Sequence, residues 1–371
     1  MKNLLQKVEN VLLMGPGPSC VPDDVYKALA TPSIGHMDDD FIEIMDEIKT
    51  LLMKLLKTKN RLTVPVSGTG SAGMETCFVN LIEPGDQVLI LINGVFGKRM
   101  ADVAGRLGAR VETLEFEWGT PVIPEKVVQK LADAAFKIVA VVHAETSTGV
   151  KNPVEEIGRL VHHHGALYLV DTVTSLGGIP VETDEWGVDA LYSGSQKCLS
   201  CPPGISPVTF SDRAVDLIGS RSSKVPNWYL DMNMLIQYWD GANRVYHHTA
   251  PINMLYAFYQ SLLLIHEEGL DSIFSRHLSA HHQLVAGLEK MGLEMLVEPD
   301  CRLPMLNAVK TPQGVDEAAV RKALRQTHKI EIGAGLGPLA GKVWRIGVMG
   351  HTARKENVER LLSALKTELN C

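Results

Sequence analysis

Residues 188–204 read VDALYSGSQKCLSCPPG. An apolar run of strand character ends at Tyr192–Ser193, small polar residues follow, and Lys197 stands just before a Cys-x-x-Cys and a Pro-Pro-Gly turn. A lysine is ordinarily a solvated surface charge, but one set among Gly and Ser at a strand end is placed rather than scattered. The preceding run, LYLVDTVTS at 167–175, ends in the same way on an acid, Asp171. An acid and a lysine thus stand at the ends of two apolar strands.

Working outward, β-branched runs alternate with helical periods from about residue 60 to 210. Strands are expected at 62–67, 87–92, 110–115, 138–143, 166–171, 188–193 and 207–210, and amphipathic helices at 71–82, 97–107, 124–133 and 153–163. This alternation predicts βαβ crossovers and a mostly parallel, mixed seven-stranded sheet covered on both faces. Past residue 250 two long helical stretches follow, NMLYAFYQSLLLIHEEGL and IFSRHLSAHHQLVAGLEKMG, then strands near 305–309 and 343–347 and a helix at 354–369. The expected organisation is an N-terminal segment 1–20, a large domain 21–265 and a smaller C-terminal α/β domain 266–371, the boundary falling in the helical region near 260–275. Ligands of open α/β sheets sit beyond the carboxyl ends of the strands, so those ends hold the candidate site residues.

Composition excludes several classes. The chain has 371 residues, 45% of them hydrophobic, and a net charge of −7 with no dense basic cluster, which argues against nucleic-acid binding. Lys2, Lys7 and Glu9 interrupt the first stretch, and no run approaches the roughly 18 apolar residues of a membrane span. The six cysteines are scattered rather than dense, and the C-terminus carries no peroxisomal tripeptide. A cytoplasmic location is expected.

VSGTGSAGMETC (66–77) contains Gly68-x-Gly70-x-x-Gly73 after a strand and at a helix start. Backbone N–H groups and the helix dipole there suit a phosphate. A nicotinamide dinucleotide would also need an acid closing the next strand, whereas Glu83 and Asp86 precede it and Asn93 ends it. Read together, Lys197 and Asp171 meet the demands of pyridoxal phosphate, which needs a Schiff-base lysine and a carboxylate that keeps its ring nitrogen protonated. Phe96 could stack on the ring, and Thr146 or Ser147 could reach its phenolic oxygen. Arg345, in KVWRIGVMG (342–350), offers the bidentate fork that a substrate carboxylate requires.

Rival chemistries fare less well. Cys198-x-x-Cys201 has no second pair to complete a structural zinc site, so buried neutral thiols are expected. His162, His163 and His164 end a helix, where they complement the last carbonyls, and His277, His281 and His282 form no His-Glu-x-x-His. No metal site is expected.

MGPGPSCVP, MDEIK, VSGTGSAGMET, NGVFGKR, HAETSTGV, VDTVTSLGG, YSGSQKCLSCPPG, YHHTAPINMLYA and RIGVMG closely resemble the motifs of alanine–glyoxylate and serine–pyruvate aminotransferases. These are class V pyridoxal-phosphate enzymes of fold type I, and the resemblance runs in order from about residue 11 to 367. It implies a homodimer that passes an amino group from alanine or serine to glyoxylate or pyruvate by ping-pong kinetics. By the same resemblance Lys197 is the Schiff-base lysine and Asp171 the partner of the ring nitrogen. Val173 and Phe96 flank the ring, Thr69, Gly70, Ser71 and Gln196 form the phosphate cup, and Thr146 meets the phenolic oxygen. Tyr246 and Thr249 reach the phosphate of the other subunit. Arg345 clamps the substrate carboxylate, and the Gly15–Ser19 segment, with Gly17, lines the substrate entrance and approaches the dimer partner.

Many relatives carry Trp where Phe96 stands and His where Ser71 stands, which bears on substrate preference more than on the cofactor. Ureidoglycine–glyoxylate and 2-aminoethylphosphonate transaminases share these features, the latter disfavoured by the lack of a second basic residue beside Arg345. A desulfurase would need a reactive loop cysteine, for which Cys301 is the candidate. An NAD-dependent dehydrogenase would rest on Gly68–Gly73 alone.

Overall fold

Valine, isoleucine and leucine crowd the runs that become strands, where β-branched side chains pack well on a pleated surface. A computed structural model of the chain describes residues 3–239 and 244–370. Its large sheet comprises β1 (Leu62–Ser67), β2 (Gln87–Ile92), β3 (Arg110–Glu115), β4 (Ile138–Val142), β5 (Leu167–Asp171), β6 (Ala190–Tyr192) and β7 (Ile205–Phe210). Across the sheet the order is β1-β7-β6-β5-β4-β2-β3. Only β7 runs against its neighbours, pairing antiparallel with both β1 and β6. Every residue of β4 and β5 is buried, as expected for strands covered on both faces, while the edge strand β3 alternates between exposed and half-buried.

Register brings the functional ends together. Asp171, the last residue of β5, sits between Val142 of β4 and Tyr192 of β6. Helices Gly70–Leu81 and Val95–Arg106 start directly beyond β1 and β2, and His162–His164 close the helix Val154–His164 before a left-handed Gly165. The expected strands agree to within about two residues at most ends. The 188–193 run is shorter, Ala190–Tyr192, although Asp189 still pairs through its backbone with Tyr168 and Ser211 and accepts the Tyr168 N–H and the Ser211 hydroxyl on its carboxylate. Helices Asp23–Leu29, Asp39–Leu55, Asp212–Gly219, Met232–Trp239 and Glu317–Thr327 were not foreseen.

The long helical region breaks at Gly269, whose φ of +82° suits glycine, between helices Ile252–Glu268 and Leu270–Lys290. Beyond it a second sheet forms from β8 (Leu306–Lys310), β9 (Gly333–Ala334) and β10 (Val343–Gly347), in the order β8-β10-β9. Trp344, Leu284, Leu324 and Leu361 pack into its own hydrophobic core, separate from the core under the large sheet. Leu12–Leu13 pair in parallel with Ile330–Glu331, and Met14 is buried in this second core. From there the N-terminal segment reaches the lysine loop, where Ser19 donates its N–H to the Gln196 carbonyl (2.9 Å) and its hydroxyl to the Lys197 carbonyl (2.7 Å).

Among the described residues no helix is long and apolar enough to cross a membrane. The five described cysteines are free, and Cys371 lies outside the described residues.

Candidate active site

A cavity of about 210 Å³ opens at the carboxyl edge of the large sheet, and both Asp171 and Lys197 line it. The Asp171 carboxylate accepts the Val173 N–H at 2.8 Å and the Tyr192 hydroxyl at 2.7 Å. Burial pushes its carboxyl up to about 6, against the lowering effect of those hydrogen bonds. Burial lowers the Lys197 ammonium to about 8, helped by the charge of Arg345. Its Nζ donates to the Pro16 carbonyl of the N-terminal segment. One cavity thus holds an acid and an amine that both titrate near neutrality, the condition for proton transfer and for amine attack on an aldehyde.

The cup begins where β1 ends. Gly68 has a φ of +145°, accessible to glycine, and donates its N–H to the Gly204 carbonyl at 2.8 Å, which ties the cup to the Pro-Pro-Gly turn. Thr69 stands at the N-cap of the following helix without capping it, so the first-turn N–H groups are not served by its side chain. Across the cavity the buried Gln196 side-chain oxygen has no partner among the described residues, which leaves this amide free to meet a ligand. Thr69, Gly70, Ser71, Phe96, Thr146, Asp171, Val173, Gln196 and Lys197, all singled out in the sequence, line this one space.

Four other expected residues do not line it. Arg345, on β10, is buried and donates to the carbonyls of Ala334 (2.6 Å) and Thr146 (3.2 Å), which sets it beside the cavity wall. Gly17 borders the lysine, since a Cβ there would collide with Lys197 Nζ. Tyr246 and Thr249 are exposed, and Tyr246 rests near His36 with ring centroids 5.3 Å apart.

Sequence reasoning missed Arg99, Tyr192 and Glu145. Arg99 lines the cavity, lies over the Phe96 ring (5.0 Å) and approaches the Ser71 hydroxyl (3.4 Å). Its signal was the spacing of three from Phe96 on one helix face. It adds a basic residue to the cavity on the side of Phe96 and Ser71, whereas Arg345 contacts Ala334 and Thr146.

The rival chemistries lose ground. Glu83 is held by the Ser222 and Ser223 hydroxyls and does not line the cavity, so the glycine fingerprint lacks the acid of a dinucleotide site. Burial pushes the Cys198 and Cys201 thiols up to about 12, and burial also raises Cys301, which leaves all three poor nucleophiles.

Cup, unpartnered amide, buried lysine and buried acid fit pyridoxal 5′-phosphate, and fold and site together define a pyridoxal-phosphate enzyme of fold type I. The aminotransferase class-V family model matches residues 23–361. The chain is similar to an alanine–glyoxylate aminotransferase from Nostoc sp., with 48% identity, a TM-score of 0.95 and full coverage of both chains. It is also similar to a ureidoglycine–glyoxylate aminotransferase from Bacillus subtilis, with 41% identity, a TM-score of 0.96, and 98% and 94% coverage of this chain and that one. The alanine–glyoxylate aminotransferase of Oryctolagus cuniculus is 41% identical over 96% of this chain and 92% of its own length. The chain belongs to the class-V aminotransferase family; it is an aminotransferase, and the dehydrogenase reading is set aside.

Proposed function

We propose that this aminotransferase moves the amino group of a small L-amino acid, alanine or serine, to glyoxylate or pyruvate by ping-pong kinetics. The observation that carries the reading is the pairing of a buried lysine held near 8 with a buried acid held near 6 in one small cavity. The names of the similar proteins support glyoxylate as acceptor. Ureidoglycine is the second donor to consider, because a relative of that name matches over nearly the whole chain.

When bound, the cofactor supplies a conjugated electron sink for the substrate α-carbon. Asp171 would hold the ring nitrogen with its proton, and Tyr192 and the Val173 N–H keep that carboxylate oriented. The Lys197 amine would take the proton from the substrate Cα and hold it for return, acting as base and then acid. Thr69, Gly70, Ser71 and Gln196 would hold the phosphate, Phe96 and Val173 the ring faces, and Thr146 the phenolic oxygen. Arg345 fixes the substrate carboxylate and Gly17 leaves room beside the amine.

We further propose a cytoplasmic homodimer in which Tyr246 and Thr249 complete the partner's cup. Exposed aromatics support it: Trp228 and Tyr246 are each 59% exposed, near Tyr229 and Val245. Free cysteines suit a reducing compartment. The two separate hydrophobic cores support a large and a small domain, but the first core runs on to Ile273 and the second takes in Met14 and resumes at Ala280, so the division into 1–20, 21–265 and 266–371 is proposed with its inner boundary moved into the helix Leu270–Lys290.

The test is the visible spectrum of the purified protein before and after L-alanine without any keto acid. A band from lysine-bound cofactor that alanine abolishes and glyoxylate restores supports the reading. A band that ignores alanine and serine but answers to ureidoglycine transfers the assignment to that donor, and no band after incubation with pyridoxal phosphate removes it.

A further inference from the structure

Glu145 is fully buried, yet it does not line the cavity. It sits at the start of the turn between the paired strands Ala144–Glu145 and Val150–Lys151, a turn that also carries Thr146. Its carboxyl accepts three hydrogen bonds: from the Ser147 N–H (3.0 Å), the Ser147 hydroxyl (2.6 Å) and the Phe96 N–H (3.2 Å). The Ser147 oxygen in turn accepts the Val95 N–H at 3.0 Å.

Val95 and Phe96 open the helix Val95–Arg106, whose N-cap is Gly94 and which has no side-chain cap of its own. The start of a helix leaves N–H groups without partners and carries a partial positive charge, so a carboxylate there is favoured. Here the acceptor comes from 49 positions away in the chain. Gly94 permits the approach, because a Cβ there would collide with the Glu145 carboxyl and the Ser147 hydroxyl. A second link, the reciprocal amide pair Asn93–Asn152 (2.8 and 3.2 Å), ties the same two segments.

We propose that Glu145 is a positioning residue of the cofactor pocket: a buried carboxyl that caps the helix carrying Phe96 and thereby sets that ring against the cofactor. It acts through Phe96 and does not touch the cofactor. The inference rests on the pyridoxal-phosphate reading of the site.

The experiment is a double-mutant cycle on cofactor affinity. Pyridoxal phosphate is titrated into the cofactor-free wild type, E145Q, F96A and E145Q/F96A, and the dissociation constant is read from the visible band and its circular dichroism. Glutamine keeps the volume but turns one acceptor into a donor facing an N–H, so E145Q is expected to weaken binding about 10-fold and to diminish the dichroism. In the F96A background the same change is expected to cost less than about 2-fold, because interacting positions are not additive. Equal effects of E145Q in both backgrounds, or none in the wild type, overturn the proposal.

Should E145Q fail to fold, S147A replaces it in the cycle. That change removes both the Val95 acceptor and a donor to Glu145, and the same non-additivity with F96A is required. A wild type that does not bind pyridoxal phosphate at all instead defeats the functional reading, a distinguishable result.

Discussion

The carboxyl edge of the large sheet and the strip made by residues 226–229 and 244–249 differ in how far the described residues enclose them. At the sheet edge the charged groups are buried and held: Asp171 by two donors, Lys197 by Pro16 and a backbone threaded under Ser19. Along the strip Trp228, Val245 and Tyr246 stand in the open, Trp228 stacked on His247 with centroids 4.3 Å apart. In the first region the chain's own backbone and side chains enclose the acid and the amine. The second leaves aromatic surface open, and exposed aromatics grouped in this way are a feature of interfaces.

The largest blow to the enclosed region is Lys197→Ala, which should lower kcat by at least about 10³-fold, the worth of a positioned acid–base. Thermal unfolding should show the variant still folded. Retained turnover would remove Lys197 from the chemistry. Asp171→Asn should cost about 10²-fold in kcat, measured in single turnovers with alanine, because the ring nitrogen loses its anionic partner. Arg345→Gln should leave kcat within a few-fold while raising the donor KM about 30-fold, equivalent to about 2 kcal/mol of charge pairing. An unchanged KM would place the carboxylate clamp elsewhere.

A pH series sharpens the comparison without mutation. Lys197 is held near 8, below its ordinary 10.5, and cofactor capture needs the free amine. The capture rate by the cofactor-free protein should therefore fall about 10-fold per pH unit below that value, and level off above it. A stopped-flow profile with its break near 10 would contradict the burial argument. The sign for stability follows from the same lowering. Between about 8 and 10.5 the unfolded chain binds a proton the folded one has released, so this residue's contribution rises with pH across that window and is lost as pH falls through 8.

The smallest effect belongs to the open strip. Tyr246→Phe should weaken cofactor binding about 5-fold, the worth of one hydrogen bond, and only at protein concentrations where subunits associate. Equal affinity for wild type and variant at every concentration would leave the strip without a part in the site.

The difference between the regions also explains what the sequence could tell. Strands β4 and β5 were legible because strands buried on both faces are unbroken apolar runs, and Asp171 stood out as the charge that ends one. Lys197 was legible for the same reason, from its isolation among small residues. Arg345 could be named but not placed, since its contacts to Ala334 and Thr146 join segments far apart in the chain. Glu145 stood at a strand end without a role: it is a lone acid in a polar turn, and only the fold turns it under a helix start. Helix Asp39–Leu55 was legible in principle, since Phe41, Met45, Ile48 and Leu52 repeat at helical spacing, but it stands outside the strand–helix alternation that begins at residue 60.

Strand β7, the one reversed member of the large sheet, lies between β1 and β6, and its pairing with β1 brings together Thr63 and Thr209, 146 positions apart. It is the seam that sets Gly68 beside Gly204, and with it the cup beside the lysine loop. A nascent chain that has not yet delivered this strand holds both halves of the site without joining them. Cofactor affinity is thereby reserved for chains that have completed the least local pairing of the large sheet, and the cofactor stabilises only those.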